Sequence, residues 1–142
     1  MLLDANILLY AVDERSPHHE LAAAWLIAAM NGSQRVGFPW QTISAFLRIA
    51  THPRISDVPL SASEAWGHVE RWLAADPAWV PPTSERTARV YAALSEAHQI
   101  TANLVPDAGL AALALEHGLT VISADSDFAR FPEIRWVNPL VG

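Results

Sequence analysis

Pro106-Asp107-Ala108-Gly109-Leu110-Ala111-Ala112-Leu113-Ala114-Leu115-Glu116-His117-Gly118-Leu119-Thr120-Val121-Ile122-Ser123-Ala124-Asp125-Ser126-Asp127-Phe128 reads as a helix, a tight turn, a buried strand and an acidic loop. Asp107 is expected to open the helix behind a proline suited to a first turn. Leu110, Leu113, Ala114 and His117 follow at helical spacing. Gly118 fits a left-handed cap. Leu119-Thr120-Val121-Ile122 is a short apolar, β-branched run, as in a strand buried in a parallel sheet. Asp125 and Asp127 come directly after it. In open parallel sheets, sites form beyond the carboxyl ends of the strands, so both ends of this unit deliver carboxylates toward one rim.

The first residues repeat the device. Met1-Leu2-Leu3 is a minimal strand, Asp4 ends it, and Ala5 to Ala11 continues as an apolar helix. Asp4, Asp107, Asp125 and Asp127 on one rim would repel one another unless a divalent cation sits among them. Carboxylates with open positions suit Mg²⁺ or Mn²⁺. Each has an ordinary alternative: Asp4 as a helix cap, Asp107 as a dipole partner, Asp125 and Asp127 as a solvated turn. The joint pattern is more specific than its parts.

Elsewhere, Ser16-Pro17 is expected to start a helix, with Leu21, Ala24, Trp25 and Ala28 as its buried stripe. Val36-Gly37-Phe38 is a short candidate strand. Trp40 to Ala50 is a helix with Ile43, Phe46, Leu47 and Ala50 on one face. Ser61 and Glu64 form a capping box ahead of Ala65, Trp66, Val69, Trp72 and Leu73. Trp79-Val80 is a candidate strand. Ser84 to His98 is a helix buried through Ala88, Tyr91, Leu94 and Ser95, then Gln99 to Val105 is a loop. Ile134 to Val137 is a last strand. Alternating strands and helices indicate an α/β fold with a parallel sheet between helices, in one domain spanning residues 1–142.

Composition narrows the function. The chain has 142 residues, 51% of them hydrophobic, and a net charge of -6. No apolar run reaches the roughly 18 residues of a membrane span. The first strand starts at Met1, so no signal peptide is expected. Cysteine is absent, which removes thiolate nucleophiles and cysteine zinc sites and fits a cytoplasmic location. All nine basic residues are arginine. Without lysine, Schiff-base chemistry, P-loops and the usual aspartyl-phosphate sites of phosphatases and receiver domains are excluded. The acidic balance disfavours broad nucleic-acid binding, although bound metal and local arginine reverse the sign near a site. The six histidines lie apart; adjacent His18 and His19 point about 100° from each other on a helix. They read as ordinary half-buried or surface residues. Arg48, Arg54 and Arg86 are within the set that could reach phosphates.

Leu3-Asp4-Ala5-Asn6-Ile7-Leu8, Phe46-Leu47-Arg48-Ile49-Ala50-Thr51-His52-Pro53, Asp107-x-x-Leu110-Ala111-Ala112 and Ser123-x-Asp125-x-Asp127-Phe128, in that order, resemble the PIN-domain ribonuclease toxins of VapBC toxin–antitoxin pairs, the VapC family. The resemblance implies a PIN-like α/β/α sandwich with a short parallel sheet. It implies a Mg²⁺-dependent endoribonuclease acting on structured RNA such as tRNA or ribosomal RNA, a homodimer, and inhibition by a cognate antitoxin. Carried over, Asp4 and Asp107 are the principal metal ligands and Asp125 with Asp127 completes the site. Asn6 orients Asp4 and Ser123 ties the acidic loop. Apart from the resemblance, Arg48 and Arg86 are the candidates for substrate contact, against the ordinary reading of solvated surface arginines. One position departs: the family usually has Glu on the central helix, where this chain reads Ser44-Ala45-Phe46-Leu47-Arg48, which resembles a subgroup of these toxins that lacks that Glu rather than a dead enzyme. The alternative function is a non-catalytic module of the same fold that binds RNA or antitoxin with a weakened metal site.

Overall fold

A computed structural model describes residues 1–141. In chain order the elements are β1 (Leu2–Leu3), α1 (Ala5–Val12), α2 (His19–Met30), β2 (Val36–Gly37), α3 (Trp40–Ala50), α4 (Ala62–Leu73), β3 (Ala78–Trp79), α5 (Glu85–Ala97), α6 (Leu104–His117), β4 (Val121–Ile122), a 3-10 turn (Ser126–Arg130) and β5 (Trp136–Val137). The five strands form one sheet in the order β3-β2-β1-β4-β5, and every pairing is parallel. The strand order reverses between β1 and β4, which opens a crevice at their carboxyl ends.

The three central strands, β1, β2 and β4, are buried on both faces, as in a sheet covered by helices, while the edge strands β3 and β5 are only partly buried. Successive side chains alternate faces. Leu2 and Val121 enter one core with Leu94, Ala108, Leu110, Leu113 and Phe128, under α5 and α6. Leu3 and Ile122 enter the other with Ile7, Leu8, Val36, Phe38, Ile43, Phe46 and Val69, under α1 to α4. The result is the α/β/α sandwich expected. Trp72 stacks on Phe38 at 6.2 Å and meets Phe46 edge-on at 5.0 Å, joining α4 to this second core. Gly37 permits close approach of the chain after β3: a Cβ there would lie 2.8 Å from Pro81 Cγ.

Several local expectations shift. α6 begins at Leu104, behind Asn103, so Pro106 and Asp107 lie in its first turn rather than opening it. Proline is tolerated there because the first N–H groups of a helix lack intrahelical partners. Gly118 is left-handed, with φ +67, and closes the helix as read. Ser16 does not cap α2. Its hydroxyl accepts from the His18 N–H in a preceding turn, and the helix starts at His19. The buried positions of α2 are Ala22 and Leu26, while Leu21 is 55% and Ile27 65% exposed. This helix is apolar on all sides, so spacing alone does not fix its inner face. On α5 the buried residues are Thr87 and Leu94, and Ala88 and Ser95 face solvent. Trp66 on α4 is also exposed.

Candidate functional site

The ladder hydrogen bonds set the level of the site. Leu2 N–H donates to Thr120 O at 2.8 Å, and Asp4 N–H donates to Ile122 O at 3.0 Å. Asp4 therefore leaves β1 beside the point where Ser123 leaves β4. Ser123 N–H donates to Val137 O at 3.1 Å, and Trp136 Nε1 donates to Ser123 O at 2.9 Å, which holds this corner from the β5 side.

Asp4 caps α1: its Oδ1 accepts from Ala5 N–H at 2.8 Å. Its Oδ2 accepts from the Ser123 hydroxyl at 2.7 Å and from Asn6 Nδ2 at 3.3 Å. Asn6 Nδ2 also lies 3.1 Å from Ser123 Oγ, and Asn6 Oδ1 accepts from Ala124 N–H at 3.1 Å. Ser123 Oγ then accepts from Asp125 N–H at 3.0 Å, and Asp125 Oδ1 accepts from Asp127 N–H at 2.9 Å, capping the 3-10 turn. One continuous network thus runs from β1 through Asn6 and Ser123, which is fully buried, into the acidic loop.

Within this frame, Asp107, Asp125 and Asp127 each present a carboxylate oxygen, all within 4.8 Å of one another. Asp4 is not part of that close group; its oxygens accept from Ala5, Asn6 and Ser123. It instead shares a cavity of about 210 Å³ with Asp107, lined also by Gln41, Thr42, Ala45, Pro106 and Leu110. Burial, then the charges of Asp125, Asp4 and Asp127, push the Asp107 carboxyl up from its ordinary value of 3.8 to about 7. Asp4 is also raised, chiefly by burial and further by Asp125, against the lowering hydrogen bonds from Ser123 and Ala5. Three hard oxygen donors that destabilise one another when ionised have the chemistry of a divalent-cation site.

The arginines separate. Arg48 is exposed in the last turn of α3, one turn beyond Ala45. Arg86 is not brought to the carboxylates. It starts α5 beside Glu116, whose carboxylate accepts from Ser84 and Thr87, and Glu116 is nine residues, about 13 Å, along α6 from Asp107. Sequence reasoning missed Thr42, which is buried and donates to Leu3 O at 2.7 Å, locking the start of α3 to the end of β1. A polar residue one position before the apolar Ile43 was its signal. It also missed Arg130, whose Nε lies 3.7 Å from Asp127 Oδ1; the i,i+3 spacing in Asp127-Phe128-Ala129-Arg130 could have pointed to it.

A family model described as PIN domain matches residues 1–134. The chain is 44% identical over 138 residues to Ribonuclease VapC37 of Mycobacterium tuberculosis, covering 97% of this chain and 96% of that protein. It is 34% identical over 137 residues to Ribonuclease VapC33 of the same organism, covering 96% of each. Among solved structures it is similar to VapBC2 from Rickettsia felis bound to a DNA fragment from their promoter, with a TM-score of 0.70, 15% identity and 96% of both chains covered. That likeness concerns the fold. With the motifs, the sheet order and full-length relatives in agreement, the chain belongs to the PIN-domain family, in its VapC branch.

Proposed function

We propose that this protein is a Mg²⁺-dependent endoribonuclease, the toxin of a VapBC-type pair, cutting structured RNA such as tRNA or ribosomal RNA and so stopping translation. The observation that carries the reading is the convergence of the Asp107, Asp125 and Asp127 carboxylates within 4.8 Å. The relatives named ribonucleases over their full length support the same activity. In this reading Asp107, Asp125 and Asp127 hold the cation, and Asp4 completes the anionic wall on the side of the shared cavity. When bound, Mg²⁺ would supply Lewis-acid stabilisation of the scissile phosphate and a more acidic water.

The chain's own residues do the rest. Ser123 and Asn6 fix Asp4 in one orientation, so its charge bears on Asp107 and Asp125 without reorganisation. Asp125 caps the 3-10 turn and thereby sets the position of Asp127. The raised Asp107 carboxyl accepts a proton near neutrality when no cation is present. Mn²⁺ fits the same donors.

The partner in this proposal is a cognate antitoxin. Support comes from solved relatives that are toxin–antitoxin assemblies and from an apolar groove of about 480 Å³ bordered by Leu9, Tyr10, Val12, Ile49, Ile55 and Val58. Asp13, Glu14 and Asp57 line it against one cation, Arg15, which pairs with Asp13 and Asp57, and the acidic balance that remains favours a basic segment. A homodimer belongs to the same proposal. Among the described residues, no helix is long and apolar enough to cross a membrane.

The experiment is cleavage of total RNA by purified protein in Mg²⁺, Mn²⁺ and chelator, with the new ends sequenced. Metal-dependent cuts at defined positions, lost in Asp107→Asn, are expected. An intact RNA population with tight RNA binding would instead establish the non-catalytic module.

A further inference from the structure

The acidic site has to hold a polyanion, and the chain offers few cations to help it. Four carboxylates gather here: Asp107, Asp125 and Asp127 within 4.8 Å of one another, and Asp4 in the cavity it shares with Asp107. A single divalent ion leaves that group net negative, so a backbone phosphate needs a further positive charge beside it.

The nine arginines can be sorted by position. Arg15 is paired with Asp13 and Asp57. Arg35 lies over the Trp79 ring at 4.0 Å. Arg71 contacts His68, and Arg135 donates to Gly118 O. Arg86 stands at the Glu116 end of α6, and Arg89 follows it on α5. Arg54 is in the chain after α3, and Arg48 points outward from the last turn of that helix. Arg130 differs from all of them: among the described residues, it is the arginine that forms an ion pair with a carboxylate of the close acidic group.

Its placement is built, not incidental. Asp125 caps the 3-10 turn Ser126–Arg130, and Phe128, 1% exposed, pins that turn into the core under α6. The same short element therefore carries Asp125 and Asp127 at its start and Arg130 at its end. The contact with Asp127 is made by Nε at 3.7 Å, longer than a hydrogen bond, and the side chain is 67% exposed. The guanidinium fork is thus loosely held, with its terminal donors open to solvent at the edge of the site.

We propose that Arg130 is a substrate-contacting residue that grips a phosphate of the RNA next to the cleaved bond, and that its pairing with Asp127 is the resting position from which it turns to that phosphate. Arginine suits this task because its planar fork binds phosphate oxygens bidentately. The inference rests on the ribonuclease activity proposed above.

The test compares wild type, Arg130→Gln and Arg130→Lys in RNA cleavage at several salt concentrations, with melting curves and calorimetric Mg²⁺ titration of each protein. Arg130→Gln should lower kcat/KM about ten- to hundred-fold and make the logarithmic salt slope of RNA binding shallower by about 0.7. Its Mg²⁺ affinity should be unchanged or tighter, because a cation competing for Asp127 is gone. Arg130→Lys should recover the salt slope and only part of the rate. Unchanged kcat/KM and salt slope in Arg130→Gln would overturn the proposal. So would lost activity accompanied by weaker Mg²⁺ binding, since Arg130 would then act by supporting Asp127. Wild-type protein that cuts no RNA in any metal would refute the ribonuclease reading itself, a result distinct from these two.

Discussion

Replacing Asp107 with Asn should stabilise the metal-free protein at alkaline pH, and by an amount the site geometry sets. Asp107 is ionised in the unfolded chain above its ordinary value of 3.8 but takes up its proton at about 7 in the folded one. Between these values the native state binds more protons than the unfolded state, so metal-free stability falls as pH rises through that window. A wholly buried group would lose about 4 kcal/mol over such an interval. Asp107 is only half-buried, and water screens its neighbours, which reduces the loss to roughly 1–2 kcal/mol. Asn cannot ionise, so Asp107→Asn escapes this penalty. In chelator at pH 8 its melting temperature should exceed that of wild type by roughly 3–8 °C. At pH 4 the two should converge. Saturating Mg²⁺ should reverse the order, because wild type gains about 2.7 kcal/mol at a hundredfold excess over Kd while the variant has lost a ligand. Scanning calorimetry over pH 4–8, with and without Mg²⁺, reads every arm. A variant no more stable than wild type in chelator at pH 8 would show that the carboxylates are not strained against one another, and the cation argument would lose its physical basis.

Three further outcomes follow from the same contacts. Ala45→Glu adds a carboxylate to the wall shared by Asp4 and Asp107; it should tighten Mg²⁺ binding in calorimetric titration and lower the melting temperature in chelator, and no change in either would place the new side chain outside the cavity. Ser123→Ala removes one strong donor to Asp4 and leaves the Asp125 N–H without its acceptor, a loss of about 1–3 kcal/mol by urea denaturation, together with reduced cleavage. Leu113→Ala opens a hole in the core under α6, where Leu113 is fully buried, and should cost about 2.7–5 kcal/mol while leaving Mg²⁺ affinity unchanged.

The parts of the fold readable from sequence are those where one physical signal acts alone. Gly118 after an apolar helix fixes a helix end, because a left-handed residue there favours glycine. Phe46 and Ile43 stand in a strongly amphipathic helix, and both are buried. The α/β/α order follows from strands with no polar face. Misplacement came where two signals compete. α2 carries alanine, leucine and isoleucine around its whole circumference, so its inner face is chosen by contact with α1 and not by period. Ser16-Pro17 has the letters of a helix start, yet the Ser16 hydroxyl is used by a separate turn. The site divides similarly. Asp4, Asp107, Asp125 and Asp127 follow from strand ends and rim topology. The orientation of Asp4 is held by Ser123 and Asn6, whose side chains arrive from the end of β4 and from α1. A long-range hydrogen bond leaves no periodic trace in either stretch.

The placement of Ala45 joins these strands of argument. Around the α3 axis, Ala45 lies about 100° from Phe46 and 200° from Ile43, so a helix that buries those two must turn Ala45 away from the core. The structure turns it into the cavity with Asp4 and Asp107. The buried hydroxyl of Thr42, bonded to Leu3 O, fixes both the rotation and the depth of α3 against β1. A side chain at position 45 is therefore delivered to the carboxylates by the same packing that holds the central strand. With alanine there, the wall on the α3 side carries no anion of its own: Gln41 and Thr42 are neutral. The negative charge concentrates on the β4 side, in Asp125 and Asp127, where Asp107 meets it from α6. In the proposed function those three hold the cation, and the α3 side of the cavity, lined by the neutral Gln41, Thr42 and Ala45, is the side open to the substrate chain.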